Sequence, residues 1–369
     1  MRQLAHTPET NVIKTLDDWQ LFMLLGKAVT SRSLMRAGPD GARQERPLSV
    51  RYRREKLYRL LRSTSDRYGR KQVLKEAHDR EEIARQFLRQ GEVTVTLPVL
   101  GVQTAGFTHL SPSSARVGTP TIVLIPGISN DVGCVETLAE ELAFSGRIVV
   151  VISFPDAVLG RVSLAFADAV EQSATFGPHA SFFKSAIKRL LPESEELELW
   201  SYSTGAPIMA EMLNDDPAFS ERVKEAVLVN PAGSVSQGRV QFLLGLVKEM
   251  VSLLAHPRDL PSFVFGPPDK KPSDDSQKQK EQSEAKNRII TALLEHIVKQ
   301  TDWSQMKVAP GGQITVVTSQ SDDVTKCYRA FNKRTRPPNP AIRVVEIPGR
   351  HCTPLLKPAE VITAVRASL

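Results

Sequence analysis

The sequence predicts an α/β protein with a mostly parallel central sheet flanked by helices. Short segments rich in β-branched residues alternate with segments of helical apolar spacing along residues 91–369. One strand-like segment turns directly into a helix at a serine, Ser203. Two later strand-like segments end beside an acid and a histidine, at the position where open α/β sheets place ligands and chemistry.

The strands are predicted from apolar runs that are bounded by turn residues. Each run is short enough for a strand, and most are rich in valine and isoleucine, which favour the pleated sheet. A helix with an apolar face is predicted at 206–213, directly behind Ser203. The strand-like segments are 121–128, 148–155, 197–200, 225–233, 313–318 and 341–347.

Ser203 lies in the segment Ser201-Tyr-Ser203-Thr-Gly205, between the strand at 197–200 and the helix at 206–213. So tight a strand-to-helix turn forces the serine into strained backbone geometry and places its hydroxyl beside the free N–H groups of a helix start. Small flanking residues are needed because larger side chains would collide across the turn. Taken alone the pattern is weak, since a serine between small residues often only caps a helix.

A nucleophilic serine needs a base, and the base needs an orienting carboxylate. Asp322 and Asp323 follow the strand at 313–318, and His351 follows the strand at 341–347. The order along the chain is therefore serine, acid, histidine. An ordinary solvated turn pair and a loop histidine remain the alternative interpretation of these residues.

With these features, the chain resembles members of the α/β-hydrolase superfamily over residues 92–369. The segment at 121–128 resembles the third strand of that fold and its oxyanion turn, and 148–155 resembles the next strand. The segment at 225–233 resembles the strand after the nucleophile helix. His351 followed by Pro358-Ala-Glu-Val361 resembles the histidine loop and the last helix. The serine–acid–histidine order is the one expected on this scaffold.

The resemblance implies a role for each matching residue. Ser203 would be the nucleophile, His351 the general base and then the general acid, and Asp322 the carboxylate that orients the imidazole. The backbone N–H groups of Ile128 and Thr204 would form the oxyanion hole.

Two residues depart from the family pattern, and one residue competes for the role of the acid. Ser201 replaces the first glycine of the turn, and Ser319 stands where a glycine often precedes the acid. Both are small, so neither forbids the turn. Asp323 is the alternative acid. Asp322 is favoured because it lies at the usual interval after Ser319 and leaves Val324 to pack inward.

Residues 234–312 are predicted to form a helical lid or cap inserted over the site. Helical apolar spacing occurs at 240–254 and again at 288–300. Between them, residues 267–284 are rich in proline, lysine, glutamine and serine, a composition that favours a mobile segment without a core. Two amphipathic helices near a nucleophile favour an apolar acyl-binding cleft, although such stripes more often pack on the body of the domain.

Residues 1–90 are predicted to form a basic helical N-terminal extension. Residues 1–95 hold 20 Lys and Arg against 12 Asp and Glu, so the net charge of +7 belongs to this part of the chain. Such a surface is compatible with nucleic acid or an anionic membrane. The favoured interpretation is a set of helices packed on the hydrolase domain, with arginines on the solvated face and interleaved acids as partners.

The composition is that of an ordinary globular protein, with 41% hydrophobic and 24% charged residues. The three cysteines favour a reducing compartment over a disulfide framework. The first residues lack the apolar core of a secretion signal, and no run reaches the roughly 18 apolar residues of a membrane span. We therefore expect a cytoplasmic protein. The histidines show no metal-ligand spacing and there is no phosphate loop, so neither a metal nor a cofactor is expected.

The sequence therefore predicts a serine hydrolase, similar to esterases and lipases, that acts on a small-molecule ester or related acyl compound through an acyl-enzyme. Acyl transfer to an acceptor other than water would use the same residues. A non-catalytic hydrolase-fold protein that binds a partner through its basic N-terminal helices is the alternative class.

Overall fold

The computed structural model describes residues 88–112, 115, 118–128, 135–157, 160–255, 276–331, 337 and 339–367. The predicted N-terminal helices at 1–87, and residues 267–275 of the predicted mobile segment, lie outside the described residues. None of the described helices is both long enough and apolar enough to cross a membrane.

The described residues form one eight-stranded sheet with the spatial order β1-β2-β4-β3-β5-β6-β7-β8. The strand β2 pairs antiparallel with both β1 and β4, and every other neighbouring pair is parallel. The strands are β1 (Leu88–Leu97), β2 (Gly101–Leu110), β3 (Thr121–Ile125), β4 (Val149–Ile152), β5 (Leu197–Tyr202), β6 (Val223–Val229), β7 (Gln313–Ser319) and β8 (Ile342–Ile347).

Helices connect the parallel strands and cover the sheet. The helices are α1 (Glu136–Phe144), α2 (Leu164–Gln172), α3 (Gly177–Leu190), α4 (Gly205–Asp215), α5 (Pro217–Ser220), α6 (Arg239–Ala255), α7 (Ser276–His296), α8 (Cys327–Ala330), α9 (Thr353–Leu356) and α10 (Pro358–Arg366). One group packs α1 against α9 and α10, and another packs α3 against α2 and α4. Every residue of β3, β4 and β5 is buried, as expected of parallel strands with both faces covered.

The strands predicted from β-branched runs are all present, and the predicted α/β class is confirmed. The antiparallel hairpin of β1 and β2 was not anticipated, and β1 begins inside the segment that had been assigned to the N-terminal extension. The sequence does contain a signal for the strand β1, because apolar and polar residues alternate along it. Val93, Val95 and Leu97 are buried, while Thr94 and Thr96 are exposed.

The second helix of the insertion differs from the prediction at both ends, since α7 begins at Ser276 and ends at His296. Residues 276–284 are therefore helical, although their composition predicted a mobile segment. Lysine, glutamine and glutamate are good helix formers, so polarity alone does not exclude a helix. Gln282 also has backbone partners, because it accepts a hydrogen bond from the N–H of Val162 and donates one to its carbonyl.

The start of α4 lies directly against the end of β3. A Cβ atom at Gly205 would stand 2.7 Å from the carbonyl oxygens of both Ile125 and Pro126. Real Cβ atoms do not approach backbone oxygens so closely, so this position requires glycine. The contact holds the end of β3, the end of β5 and the start of α4 in one place.

We expect the substitution Gly205→Ala to destabilise the protein by about 1–3 kcal/mol, because the added methyl group must push β3 and α4 apart. Gly238→Ala is the matched control, since a Cβ there meets nothing within 4 Å, and its effect should stay within about 0.5 kcal/mol. Urea unfolding of both variants measures the difference. Equal stability of Gly205→Ala and wild type would contradict the close contact.

Candidate active site

Ser203 occupies the turn between β5 and α4 in a left-handed backbone conformation, with φ at +53°. A non-glycine residue in this region is strained by about 1–3 kcal/mol and must be held by its surroundings. Three hydrogen bonds hold it: the Ser203 N–H donates to Val229 O (2.9 Å), and Ser203 O accepts from the N–H groups of Ala206 and Ala232 (both 3.1 Å). The strained turn predicted from the sequence is present.

Ser201, which replaces the usual glycine two residues before the nucleophile position, is fully buried in β5. Its hydroxyl donates a long hydrogen bond (3.5 Å) to the carbonyl oxygen of Val227 in the neighbouring strand. A serine is thus accommodated inside the sheet without disturbing the pairing of β5 with β6.

Two backbone N–H groups lie next to this turn. Thr204 is buried and directly precedes α4, and Ile128 follows the Pro126-Gly127 turn at the end of β3. The contact of Gly205 with Pro126 O brings these two segments together. Neither N–H donates a hydrogen bond to a group in the part of the chain that the structure describes.

Asp322 and His351 form a buried pair at the ends of β7 and β8. Nδ1 of His351 lies 3.0 Å from Oδ2 of Asp322. Oδ1 of Asp322 accepts the N–H groups of Val324 (2.9 Å) and Thr325 (3.0 Å), and Oδ2 also accepts the Thr325 hydroxyl (2.6 Å). The carboxylate is completely buried and His351 is 5% exposed. These neighbours donate hydrogen bonds to both oxygens, which therefore act only as acceptors, as the oxygens of an ionised carboxylate do.

The two groups shift each other's pKa. Burial alone would raise the pKa of the Asp322 carboxyl, but the charge of His351 and the hydrogen bonds from His351 and Thr325 outweigh it, so that the pKa is lowered. Burial alone would lower the pKa of His351, but Asp322 outweighs it by charge and hydrogen bonding, with a further contribution from Glu249, and the pKa is raised. The pair therefore favours an ionised acid beside a basic imidazole.

The alternative acid, Asp323, faces the other way. Its Oδ2 forms an ion pair with Nζ of Lys248, and its side chain is 39% exposed. The structure therefore joins His351 to Asp322 and joins Asp323 to α6.

Two residues without an assigned role in the sequence analysis tie the serine turn to the histidine loop. The Tyr202 hydroxyl donates to His351 O (3.1 Å), and the two rings lie 5.1 Å apart. The Asn230 amide also donates to His351 O (2.8 Å) and to the Ser319 hydroxyl (2.9 Å), and its Oδ1 accepts the Ser319 N–H (2.8 Å). Ser319, which replaces a glycine, thereby gains a partner. Tyr202 lies next to Ser203 and Asn230 lies at the end of β6, but their common partner, His351, is far away along the chain.

The hydrogen bonds around His351 engage Nδ1 and the backbone carbonyl. Among the described residues, neither Nε2 of His351 nor the hydroxyl of Ser203 has a hydrogen-bond partner, and no bond joins the two. With Nδ1 facing Asp322, Nε2 is the ring nitrogen left to exchange a proton. Hydrogen bonds to a nucleophile are often long without substrate and tighten in the complex.

A second buried histidine–aspartate pair lies elsewhere in the domain. Nε2 of His179 is 3.2 Å from Oδ1 of Asp156, and both side chains are completely buried. The ring packs against Phe154 and Phe166. Because no part of either side chain reaches solvent, we interpret this pair as structural. Within the described residues there is no cluster of three or more acidic, histidine or cysteine residues that could hold a metal ion.

A surface cavity of about 460 Å³ lies between α2 and α7. Glu171, Ser283, Glu284, Asn287, Arg288 and Thr291 line it. None of the residues that the sequence singled out for catalysis contributes to this cavity, so it is not the site defined by the strand ends.

No protein-family model matches the chain, and no curated protein sequence matches it. The chain is similar in structure to a bacterial membrane phospholipase A described as a virulence factor, with 16% identity and a TM-score of 0.51 over 80% of this chain and 90% of that chain. It is also similar to a probable hydrolytic enzyme from Pseudomonas aeruginosa PAO1, with 15% identity and a TM-score of 0.50 over 76% of this chain and 94% of that chain. At such low identity a likeness shows the fold alone. The strand order and these similarities together show that the chain has the α/β-hydrolase fold.

Proposed function

We propose that the protein is a serine hydrolase that cleaves an ester or related acyl compound through an acyl-enzyme on Ser203. The observation that carries the proposal is the strained turn of Ser203 beside a buried, ionised Asp322 paired with His351. A left-handed serine and a buried ion pair both oppose stability, so their combination at one sheet edge favours a catalytic role.

In the first half-reaction, Ser203 Oγ attacks the acyl carbonyl carbon while Nε2 of His351 takes the hydroxyl proton. The carbonyl oxygen becomes an oxyanion, which accepts hydrogen bonds from the N–H groups of Ile128 and Thr204. Such a donor is worth about 3 kcal/mol in the transition state. His351 then gives its proton to the leaving oxygen as the carbon–oxygen bond breaks, which leaves the acyl group on Ser203.

In the second half-reaction, His351 takes a proton from water as the water oxygen attacks the acyl carbon. The second oxyanion is held by the same two N–H groups. His351 returns the proton to Ser203 Oγ as the acyl bond to Ser203 breaks, so the acid is released and the serine is regenerated. Asp322 stays ionised throughout and holds the Nδ1–H, which selects the tautomer with a basic Nε2.

Acyl transfer would follow the same steps with an alcohol or amine in place of water. Among the described residues nothing specifies such an acceptor, so hydrolysis is the simpler proposal. A purely binding role is disfavoured because it does not require the strained turn or the buried pair. A lid role for the 234–312 insertion, an apolar substrate and a cytoplasmic location remain expectations from the sequence patterns alone.

We expect a fluorophosphonate probe to label the wild-type protein at Ser203, because the phosphorus centre imitates the tetrahedral oxyanion. Ser203→Ala should abolish labelling, and His351→Ala should reduce it strongly because the hydroxyl loses its base. Peptide mapping by mass spectrometry identifies the labelled residue. A folded wild type that is not labelled at Ser203 would refute the proposed function.

We expect kcat/KM for a p-nitrophenyl ester to fall on acidification with a pKa above 6.5, since His351 must be neutral to act as a base and its pKa is raised. Asp322→Asn should reduce kcat by about 10⁴-fold through loss of the correct tautomer. Because the charge of Asp322 raises the pKa of His351, the residual activity should persist to lower pH. Asp323→Asn is the matched control and should keep both rate and profile. Equal losses in the two variants would contradict the assignment of Asp322.

A further inference from the structure

The helix α6, which begins the predicted lid insertion, contacts both loops that carry the Asp322–His351 pair. Gly245 lies against the Asp322 loop, where a Cβ would stand 2.4 Å from Asp323 O and 3.0 Å from the Cα of Val324. Lys248 pairs with the Asp323 carboxylate. Just before the helix, the Gln237 amide donates to Val324 O (2.9 Å). The helix α6 therefore packs directly on the loop that carries Asp322, with the backbone of the helix close to the backbone of that loop.

One turn after Gly245, α6 contacts the histidine loop through Glu249. Oε1 of Glu249 accepts the N–H of Cys352 at 2.9 Å, and the glutamate is 6% exposed. Cys352 directly follows His351, so this bond fixes the backbone that carries the imidazole. A buried carboxylate is unfavourable unless it has such donors, and here the donor belongs to the loop of His351.

We propose that Glu249 is a positioning residue that holds the His351 loop, and that α6 braces the acid and histidine loops against each other instead of moving freely as a lid. The inference rests on the proposed function, because positioning matters only if His351 exchanges protons. The first helix of the insertion would then help to position His351, the residue proposed to exchange protons.

Side chains from several elements surround His351, including Asn230, whose amide donates to its backbone carbonyl. Asp322 lies at Nδ1, Glu249 approaches from α6, and the Tyr202 hydroxyl binds the backbone carbonyl of His351. Cys352 follows on the same loop, and the Cys327 thiol lies 3.6 Å from Oδ2 of Asp322. Burial and the nearby Asp322 charge raise the pKa of the Cys327 thiol well above its ordinary value, so it stays neutral. In the part of the chain that the structure describes, the carboxylates that raise the pKa of His351 are Asp322, through its charge and hydrogen bond, and then Glu249.

The test is the pKa of His351, measured by NMR titration of its ring signals, which are assigned by their loss in His351→Ala. In Glu249→Gln the amide keeps an acceptor for Cys352 N–H but loses the charge. We expect the pKa of His351 to fall below its wild-type value, because the charge of Glu249 that helps to raise it is lost. The acidic limb of kcat/KM should move to lower pH with it while KM changes little.

Glu295→Gln is the matched control, because Glu295 belongs to the same insertion but forms an exposed ion pair with Arg239. It should leave the pKa of His351 unchanged. Glu249→Asp keeps the charge but shortens the side chain, so the pKa should stay raised while the Cys352 amide exchanges its proton faster and kcat falls. This variant also serves if Glu249→Gln does not fold.

An unchanged pKa in folded Glu249→Gln, or an unchanged Cys352 amide exchange rate in Glu249→Asp, would overturn the proposal. The titration needs no turnover. A wild type that fails to react at Ser203 therefore refutes the hydrolase function, whereas the titration alone decides whether Glu249 acts on His351.

Discussion

The backbone of Ser203 is held at a φ of +53° between β5 and α4, and its neighbours are arranged around that strained position. Hydrogen bonds to Val229 and Ala232 connect the turn to the end of β6, so Ser203 cannot relax without disturbing the sheet. The close approach of Gly205 to Ile125 and Pro126 connects it to β3. The same packing brings the start of α4 against the end of β3, the two segments that carry the proposed oxyanion-hole residues Thr204 and Ile128.

The second constraint is electrostatic. Asp322 is completely buried, and its charge is tolerated because Val324, Thr325 and His351 supply donors to both oxygens. The backbone carbonyl of His351 accepts hydrogen bonds from Tyr202 and Asn230, which come from β5 and the end of β6. The serine turn and the acid–histidine pair are therefore linked through neighbouring strands and do not depend on loop stiffness alone.

Much of this arrangement could be predicted from local sequence. Most of the buried parallel strands are runs of β-branched residues, and Asp322 and His351 each follow such a run at a recognisable interval. Ser203 follows a short strand of leucine and aromatic residues and is marked instead by its small neighbours. The choice of Asp322 over Asp323 also came from spacing, and the structure gives the pairing with His351 to Asp322. These features depend on a few consecutive residues, which is why a single chain reveals them.

The residues that support the site could not be found in this way. Glu249 meets Cys352 across 103 positions of the chain, and Asn230 meets His351 across 121. Neither carries a local motif, since each acts through a partner that only the packed fold brings near. The sequence does not predict the early start of α7, because a polar composition favours a mobile segment. In the structure, Gln282 and Lys286 bind backbone groups between β4 and α2.

We propose that Ser203 carries the acyl group during turnover, and this intermediate can be trapped. The protein would be mixed with excess p-nitrophenyl butyrate and quenched in acid during the first turnovers, and its intact mass and modified peptide would be determined. We expect one butyryl group per chain, on Ser203, and none in Ser203→Ala. Ester hydrolysis by the wild type with no acyl group on Ser203, or with the group on another residue, would contradict it.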